Sequence, residues 1–507
     1  MNLWRRRFWI LVAIVVGVPL VIAILLAMRF LPDRPVTYAN IEDHFKYGST
    51  GGERNAGFPY WIWKAMPVIF KDYLPRNGGQ GYEAFGMVYE TDGRGNRKDL
   101  PVGVMKRRNL GIDRVFVNCA ACHATTVREA PDKPPRVIVG MPAARFDLGG
   151  FEQFLFDIAV DERFRAAVFV AEIERQAGSL GPLDRYVVYP LAVEIMRGQL
   201  LMLRHRFGPV RPDLWGPGRV DTWNAAKAGL NFDMGRLPAH ELLGPSDFPS
   251  IWNQRQRKHR DDGKPMQLHW VGNNDEVNER NLSAAFGTGA TPSTVDHAAI
   301  GRIQDWLLDA QPPAYPLPID KTLAARGAAV YKQYCADCHG ASGQDFSGRY
   351  VGHVTDVDLV GTDRDNFDTY TYDLAVSQDT NYAGTPYRFT HFRKTNGYAN
   401  LPLDGIWLRG PYLHNGSVPT LRDLLEPSGC RGPAAVARPV TFYRGYDVID
   451  PARVGFIGTV AQENGRTFYL YDTRQDGKHN CGHEGKIYGT ELPPADKDAI
   501  VEYLKTF

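Results

Sequence analysis

The pattern Cys-X-X-Cys-His occurs twice in this 507-residue chain, and it constrains the fold more than any other feature. The two copies use four of the six cysteines. At this composition about 0.002 copies would be expected by chance, so two copies indicate a specific chemistry. The motif residues are Cys119, Cys122 and His123 in the first copy, and Cys335, Cys338 and His339 in the second.

The spacing of the motif is that of covalent haem attachment. Two thiols three positions apart can bond the two vinyl groups of one haem, and the adjacent histidine can then bind the iron. A redox dithiol needs no adjacent histidine in both copies, and a zinc site would require a second pair of ligands nearby. The sequence therefore predicts two covalently bound c-type haems, with His123 and His339 as iron ligands.

The first thirty residues indicate a membrane segment. Phe8 to Met28 form a run of 21 residues without a charge. At about 1.5 Å per residue, a helix of this length spans roughly 30 Å of bilayer. Three arginines precede the run, Arg5, Arg6 and Arg7, so the N-terminus should stay in the cytoplasm and the rest should be exported. We predict an uncleaved anchor in a bacterial inner membrane, with the haem domains in the periplasm; a cleaved signal peptide is the alternative.

Length and one proline-rich segment indicate how the chain is divided. A chain of 507 residues exceeds one ordinary hydrophobic core, so two or more domains are expected. The segment "DAQPPAYPLPID" at 309–320 holds four prolines, which is typical of a linker. We predict an anchor at 1–30, an N-terminal haem domain with helical insertions at 31–314, and a C-terminal cytochrome c domain at 315–507.

Helical periodicity predicts a mainly α fold. Residues 150–207 place apolar side chains at three- and four-residue intervals, as core helices do. The segment 321–340 has a helical pattern that runs into the second motif, and 492–507 forms another amphipathic helix. Small class I cytochrome c domains begin in this way and close by packing their last helix on their first. We therefore expect two haem domains of this type.

Several segments resemble one family of haem proteins. The chain is similar to the bacterial dihaem cytochrome c peroxidase superfamily, and most similar to its rubber-oxygenase-like branch, whose members cleave olefins with dioxygen. The resemblance covers most of the chain from about residue 100 onward. The segments that carry it are "LHWVGNND" (268–275), "NERNLSAA" (278–285), "GIWLRGPYLHNGSVPTLRDLLEP" (405–427), "RPVTFYRGYDVIDPARVGF" (438–456) and "GHEGK" (482–486).

The resemblance implies roles for two aromatic residues. Trp270 occupies the position of a superfamily tryptophan that lies between the two haems, so it would carry electrons between them. Val271 and Asn273 replace the Asp and Arg of that motif. Peroxidases place a catalytic glutamate twenty residues after the tryptophan, where this chain has Ala290. The oxygenase branch also lacks that carboxylate and has a phenylalanine nearby, for which Phe286 is the candidate. This favours oxygenase-like chemistry over a peroxidase.

The second axial position of each iron decides what each haem does. An iron with two protein ligands transfers electrons, whereas an open iron binds O2 or peroxide. No methionine follows Met266, so a histidine is expected at the second haem. The candidates are His353, His391, His414, His479 and His483. Resemblance of "CGHEG" to the ligand segment of the branch favours His483 as the metal ligand, with Tyr398 as the alternative.

The first haem is expected to be the reactive one, because no sixth ligand is obligatory there. His205, His240 and His269 are histidines of the same domain that could bind the iron in a closed form. The resemblance places the distal pocket at 216–227, with Val220, Thr222 and Trp223 as candidate lining residues.

Cys430 and Cys481 belong to neither haem motif. Both lie in the C-terminal domain, in an oxidising compartment if the chain is exported. We expect a disulfide between them that restrains the loop carrying His483. Closing a loop of about 50 residues stabilises by roughly 4 kcal/mol in the chain-entropy model.

Three functions remain open from the sequence. The first is an oxidoreductase with O2-dependent, oxygenase-like activity at the N-terminal haem. The second is a dihaem cytochrome c peroxidase, and the third is a non-enzymatic electron carrier of a respiratory chain. The protein would interact with a small redox partner or an apolar substrate. It would also bind the membrane through its N-terminal helix. A formal net charge of +2 provides no basic field for nucleic acid.

Overall fold

The fold combines α-helices with short antiparallel strands, in a computed structural model that describes residues 3–430 and 432–507. The expectation of a mainly α fold is therefore met in part, since short strands accompany the helices and two of them flank the first haem motif. The α-helices are Leu3–Val12, Val18–Phe30, Ile41–Tyr47, Tyr60–Ile69, Cys119–His123, Leu148–Val160, Ala166–Ala177, Tyr189–Phe207, Thr222–Gly229, Val277–Gly287, His297–Asp309, Lys321–Tyr334, Ala336–His339, Val357–Val360, Asp365–Thr369, Tyr372–Gln378, Leu421–Leu424 and Pro494–Leu504.

The largest sheet has four antiparallel strands, in the spatial order Arg34–Pro35, Val104–Asn109, Ile112–Val117 and Phe58–Pro59. The remaining pairs are two-stranded and antiparallel. They are Ala124–Val127 with Arg136–Val139, Arg219–Val220 with Ser246–Asp247, Val354–Asp356 with Gly397–Ala399, Thr441–Arg444 with Tyr469–Asp472, and Gln462–Glu463 with Arg466–Thr467.

The N-terminal apolar run is helical, as predicted. Helices Leu3–Val12 and Val18–Phe30 are joined by a π-helical turn, Ala13–Gly17, so that the axis is continuous. The helix Trp4–Phe30 is long and apolar enough to cross a membrane, and its apolar side chains are exposed. A soluble domain would bury such side chains, so this surface indicates a membrane anchor or a signal sequence.

The predicted helices between 150 and 207 are confirmed. Leu148–Val160, Ala166–Ala177 and Tyr189–Phe207 pack together with Tyr60–Ile69 around one aromatic-rich core. Strands Val104–Asn109 and Ile112–Val117 contribute side chains to the same core. This core supports the first haem motif, because the second of these strands leads directly into Cys119.

The C-terminal helix packs on the helix that precedes the second motif, as the sequence predicts. Helices Lys321–Tyr334 and Pro494–Leu504 approach so closely that a Cβ at Gly327 would clash with the carbonyl oxygen of Ala499. Tyr331 is buried at this contact, and its hydroxyl donates to the carbonyl of Gly340, 3.0 Å away. The second motif therefore directly follows the first of these helices, and Cys335 and Ala336 pack against the core that the two helices share.

Candidate haem centres

The first motif forms a short helix between two strands. Strand Ile112–Val117 ends just before Asn118, whose side chain accepts a hydrogen bond from the backbone N–H of Ala120 at 3.0 Å. This cap begins the helix Cys119–His123, and strand Ala124–Val127 follows immediately. Strands on both sides fix the direction of the motif, so the two cysteines lie on one side of a single turn.

Both motif histidines have the environment of metal ligands. Nδ1 of His123 lies 2.9 Å from the carbonyl oxygen of Pro249, and Nδ1 of His339 lies 2.9 Å from that of Leu401. A carbonyl can only accept, so Nδ1 carries the proton and Nε2 keeps its lone pair. Burial lowers the pKa of His123 to about 4 and also lowers that of His339. Both imidazoles are therefore neutral and oriented, as metal-binding histidines are.

The motif cysteines are not arranged as a redox dithiol. All four are free of disulfide bonds. Burial raises the pKa of Cys119 to about 11 and that of Cys335 to about 12. A redox-active dithiol requires a thiol with a depressed pKa in an electropositive setting. These thiols are protonated and enclosed instead, which fits covalent attachment of a prosthetic group better than thiol–disulfide exchange.

His483 lies opposite His339. The two imidazole rings have centroids 6.1 Å apart. A metal–imidazole bond is about 2 Å long, so two histidines on opposite sides of one ion have ring centres about 6 Å apart. Nδ1 of His483 is buried without a hydrogen-bond partner, and burial lowers the pKa of this histidine to about 3. The spacing between the two rings therefore fits an axial pair.

The loop that carries His483 is fixed at two points. Cys430 and Cys481 form a disulfide with Cα atoms 5.8 Å apart, which confirms the predicted pairing. Arg438, which sequence reasoning missed, donates to the carbonyl oxygens of Asn480 at 2.6 Å and Gly482 at 2.8 Å. The sequence contains one indication of its importance: Arg438 is the first residue of segment 438–456, which carries part of the family resemblance. The ring of His483 is thus positioned by a covalent bond and a buried guanidinium.

The other C-terminal candidates have partners within the protein. Nδ1 of His391 lies 2.9 Å from Glu279, and Nδ1 of His479 lies 3.1 Å from Asp363. The ring of His414 stacks on Tyr398, with Nε2 3.2 Å from the tyrosine hydroxyl. That hydroxyl also lies 2.8 Å from the carbonyl oxygen of Asp363. Tyr398 and His414 therefore pair with each other. The ring of His353 lies 6.4 Å from that of Tyr350, whereas the ring of His483 is the one found near that of His339.

Trp270 joins the segments that support the two motif histidines. Its indole N–H donates to the carbonyl of Asp247 at 2.8 Å, two residues before Pro249. Its own carbonyl accepts from the N–H of Ala399 at 2.8 Å, two residues before Leu401. These hydrogen bonds connect Trp270 to the segments that hold the two motif histidines, and its role between two haems stays a prediction.

Arg280 is a charged residue near the first centre that sequence reasoning missed. It lies on helix Val277–Gly287, and its charge lowers the pKa of both His123 and His269, after burial as the main cause. Burial, followed by the charge of Arg257, lowers the pKa of Arg280 itself to about 10. Among the residues that the structure describes, no carboxylate forms an ion pair with it. A buried guanidinium without an anion is a site for an acidic group of a ligand.

His269 is a half-buried histidine of this region. Its Nδ1 lies 2.7 Å from Oδ1 of Asn273, so Nδ1 is the donor and Nε2 keeps its lone pair. Its ring lies 6.0 Å from that of Trp223, whereas Thr222 is exposed and Val220 half-buried. The other two candidates for a closed first haem, His205 and His240, are exposed.

Phe286 packs in an aromatic cluster with Tyr382 and Phe389, at ring distances of 5.5 and 5.9 Å. It follows Arg280 by six positions, which places it about 120° around the same helix. Its role beside the first haem stays a prediction. Ala290 is buried in the same apolar cluster.

Comparison with known proteins agrees with a cytochrome. Residues 397–432 match a family model described as RoxA-like, cytochrome c-like. This segment contains Tyr398, His414 and Cys430 and follows the second motif. A cytochrome c-like region implies covalently bound c-type haem, which agrees with the buried neutral histidines and enclosed thiols described above.

Two relatives come from Sinorhizobium fredii (strain NBRC 101917 / NGR234). The uncharacterized protein y4iM is 31% identical over 333 residues, which cover 57% of this chain and 72% of the relative. The uncharacterized protein y4iJ is 26% identical over 553 residues, which cover 87% of this chain and 85% of the relative. The chain therefore belongs to the same family as y4iM, and its RoxA-like segment identifies it as a cytochrome c-like, haem-binding protein.

Proposed function

We propose that this protein is a membrane-anchored periplasmic dihaem cytochrome c with O2-dependent, oxygenase-like activity at the N-terminal haem. The observation that carries the proposal is an asymmetry between the two centres. His339 faces a second imidazole at 6.1 Å. Among the residues that the structure describes, no second histidine ring pairs with His123 in this way. One iron would then be closed by protein ligands, and the other would keep an axial position for O2.

When bound, haem supplies one-electron transfer at a closed iron and O2 chemistry at an open one. The residues of this chain supply attachment and orientation. The cysteines of each motif would form the thioethers, while His123 and His339 bind through Nε2. The carbonyls of Pro249 and Leu401 hold the opposite ring nitrogens at 2.9 Å, so neither imidazole can rotate away.

Charge and burial around the first centre support a reactive site. The guanidinium of Arg280 would pair with a haem carboxylate, which relieves its own buried charge. Trp270 would carry electrons from the second centre, because its main-chain contacts place it between the segments that hold His123 and His339. Its aromatic ring provides a path that an aliphatic side chain would not.

An oxygenase fits this site better than a peroxidase. A peroxidase needs a carboxylate to move protons during O–O cleavage. The corresponding position is Ala290, and its surroundings are apolar side chains such as Leu282, Val295 and Ile300. These side chains form a closed apolar core around position 290, which excludes water there.

An electron carrier is the second candidate, and His269 is the observation that favours it. Its imidazole is half-buried, neutral and oriented by Asn273, which leaves Nε2 free to bind a metal. If this nitrogen closed the first iron, both centres would be limited to electron transfer. The N-terminal anchor would then hold the carrier beside a membrane-bound redox partner.

The proposal is tested first by counting covalent haems in the full chain expressed in a cytochrome c-maturing host. Haem that resists acid–acetone extraction, quantified as its pyridine adduct, should amount to two per chain. The double variants Cys119→Ser, Cys122→Ser and Cys335→Ser, Cys338→Ser should each retain one. O2 uptake in the presence of an apolar olefin then separates the functions. Uptake by the two-haem protein that is lost in the Cys119→Ser, Cys122→Ser variant supports the oxygenase. If the two-haem protein takes up no O2, the electron carrier is supported.

A further inference from the structure

An apolar stripe runs along the outer face of the helix Asp184–Phe207. The side chains of Val187, Leu191, Ile195 and Met202 recur at intervals of four and seven residues, which places them on one side. Each is between 50% and 58% exposed. This helix is also the second one in the described residues that is long and apolar enough to cross a membrane.

The stripe is not needed for packing of the protein core. The opposite side of the helix buries Val193, Met196 and Leu200 against helices Leu148–Val160 and Ala166–Ala177. The helix is therefore apolar on both sides, unlike an ordinary surface helix. Burying one such aliphatic side chain stabilises by about 1.5–3 kcal/mol, so the exposed stripe has a large free energy to gain from a covering surface.

The stripe begins where the N-terminal anchor ends. Arg29, in the last turn of helix Val18–Phe30, forms an ion pair with Asp184 at the start of the stripe helix. The ring of Phe30 lies against Gly111 at the tip of the adjacent hairpin, and its neighbour Leu110 is 61% exposed. The anchor, the hairpin tip and the stripe helix thus meet at one place.

We propose that this stripe lies on the outer surface of the bilayer that the anchor crosses, with lipid as its occupant. This inference rests on the proposed membrane anchor. Because the start of the stripe helix contacts the last turn of the anchor, the stripe begins at the height of the membrane surface. His205 and Arg206, at the far end of the helix, are basic groups on the side of the stripe, where they can meet anionic lipid headgroups. Aliphatic side chains on one face and basic residues at the end are typical of helices that lie in a membrane interface.

A second attachment would fix the orientation of the protein. The 24-residue helix is about 36 Å long. Together with the anchor, it would attach the haem domains to the membrane over this length and not only where the anchor ends. A single anchor would let the domains rotate freely. With both, the two haem centres keep a constant orientation to the membrane, which any membrane-bound redox partner would require.

The test measures the depth of nitroxide labels on the full chain in vesicles of phosphatidylethanolamine and phosphatidylglycerol. All six native cysteines are assigned to thioethers or the disulfide, so a single introduced cysteine can be labelled selectively. Leu191→Cys and Ile195→Cys report on the stripe. Val15→Cys in the anchor is the membrane reference, and Val376→Cys, exposed on helix Tyr372–Gln378, is the water reference. The readout is relaxation by O2, which concentrates in lipid, relative to a water-soluble nickel chelate.

Labels at 191 and 195 should give an O2-to-nickel ratio several times that at 376 and below that at 15, because the stripe lies at the bilayer surface and position 15 lies near its centre. A ratio equal to that at 376, with 15 still in lipid, would overturn this inference and leave the anchor intact. Shielding of 191 and 195 from both reagents would also overturn it, since a protein surface would then cover the stripe. A water-exposed label at 15 would overturn the anchor as well.

A charge-insertion variant provides an independent check. With the label at Val187→Cys, the pair Leu191→Glu and Ile195→Glu should lower the O2-to-nickel ratio at least twofold, because carboxylates disfavour the bilayer. The control Val376→Glu should leave it unchanged. Equal effects of both changes, with unaltered haem absorption, would overturn the inference.

Discussion

His339 and His483 lie with ring centroids 6.1 Å apart, although His339 ends a short helix and His483 lies on a loop more than 140 residues later. The pair depends on distant restraints: the carbonyl of Leu401 orients the first ring, and the Cys430–Cys481 disulfide restrains the second. Two neutral imidazoles at this spacing have the arrangement that two ligands of one metal ion would need, and the assignment of His483 as a ligand stays a proposal.

Replacing His483 should open the second iron. In the His483→Ala variant, we expect CO binding to the reduced protein to rise from one to two per chain, because the side opposite His339 loses its ligand. The matched control is His353→Ala, which removes a half-buried histidine of the same domain. An unchanged CO stoichiometry in His483→Ala would contradict the assignment of this histidine.

Removing the disulfide should destabilise the second centre. The paired change Cys430→Ser and Cys481→Ser releases a loop with a sequence separation of 51 residues. The chain-entropy model then predicts a loss of about 4 kcal/mol in the free energy of unfolding. Denaturant unfolding followed by haem absorption measures this loss, and a midpoint equal to that of the unaltered protein would exclude a stabilising role.

The His479–Asp363 pair should make the same loop sensitive to pH. The hydrogen bond to Asp363 raises the pKa of His479 above its usual 6.5. The stabilisation is therefore complete below pH 6.5 and is lost as the pH rises through the folded-state pKa. The histidine is about half exposed, so the effect should stay below about 1 kcal/mol.

The measurement is the Tm difference between the protein and its His479→Gln variant. This difference should be largest near pH 5.5 and shrink towards pH 8.5, where the histidine is neutral. A difference that grows with pH would have the wrong sign for this pair.

Arg280 should set the potential of the first haem. Its buried positive charge favours the reduced, less positive state, so Arg280→Gln should lower the reduction potential of that haem by tens of millivolts. Arg280→Lys keeps the charge and should retain most of the potential. Spectroelectrochemical titration resolves both centres, and an equal shift of both potentials would contradict a local role.

Sequence patterns predicted those parts of the protein whose chemistry is local. A thioether-forming pair of cysteines and the next histidine are neighbours in the chain, so the two motifs were visible directly, as was the apolar run from Phe8 to Met28. The packing of helix Pro494–Leu504 on Lys321–Tyr334 also followed from periodicity.

Contacts between distant segments could not be predicted in this way. Arg280 and Arg438 have ordinary sequence surroundings, and their importance comes from burial near histidines and carbonyls far along the chain. The short strands were missed because two- to four-residue pairs such as Val354–Asp356 with Gly397–Ala399 are formed by tertiary contacts and carry no periodicity of their own.

The central claim is that one iron is closed by two histidines and the other is open. The most direct test is a CO titration of the reduced, detergent-solubilised full chain, with covalent haem measured on the same sample. The account predicts one CO for every two haems. Two CO per two haems would show that His483 does not close the second iron, and no CO would show that both irons are closed; either result would contradict it.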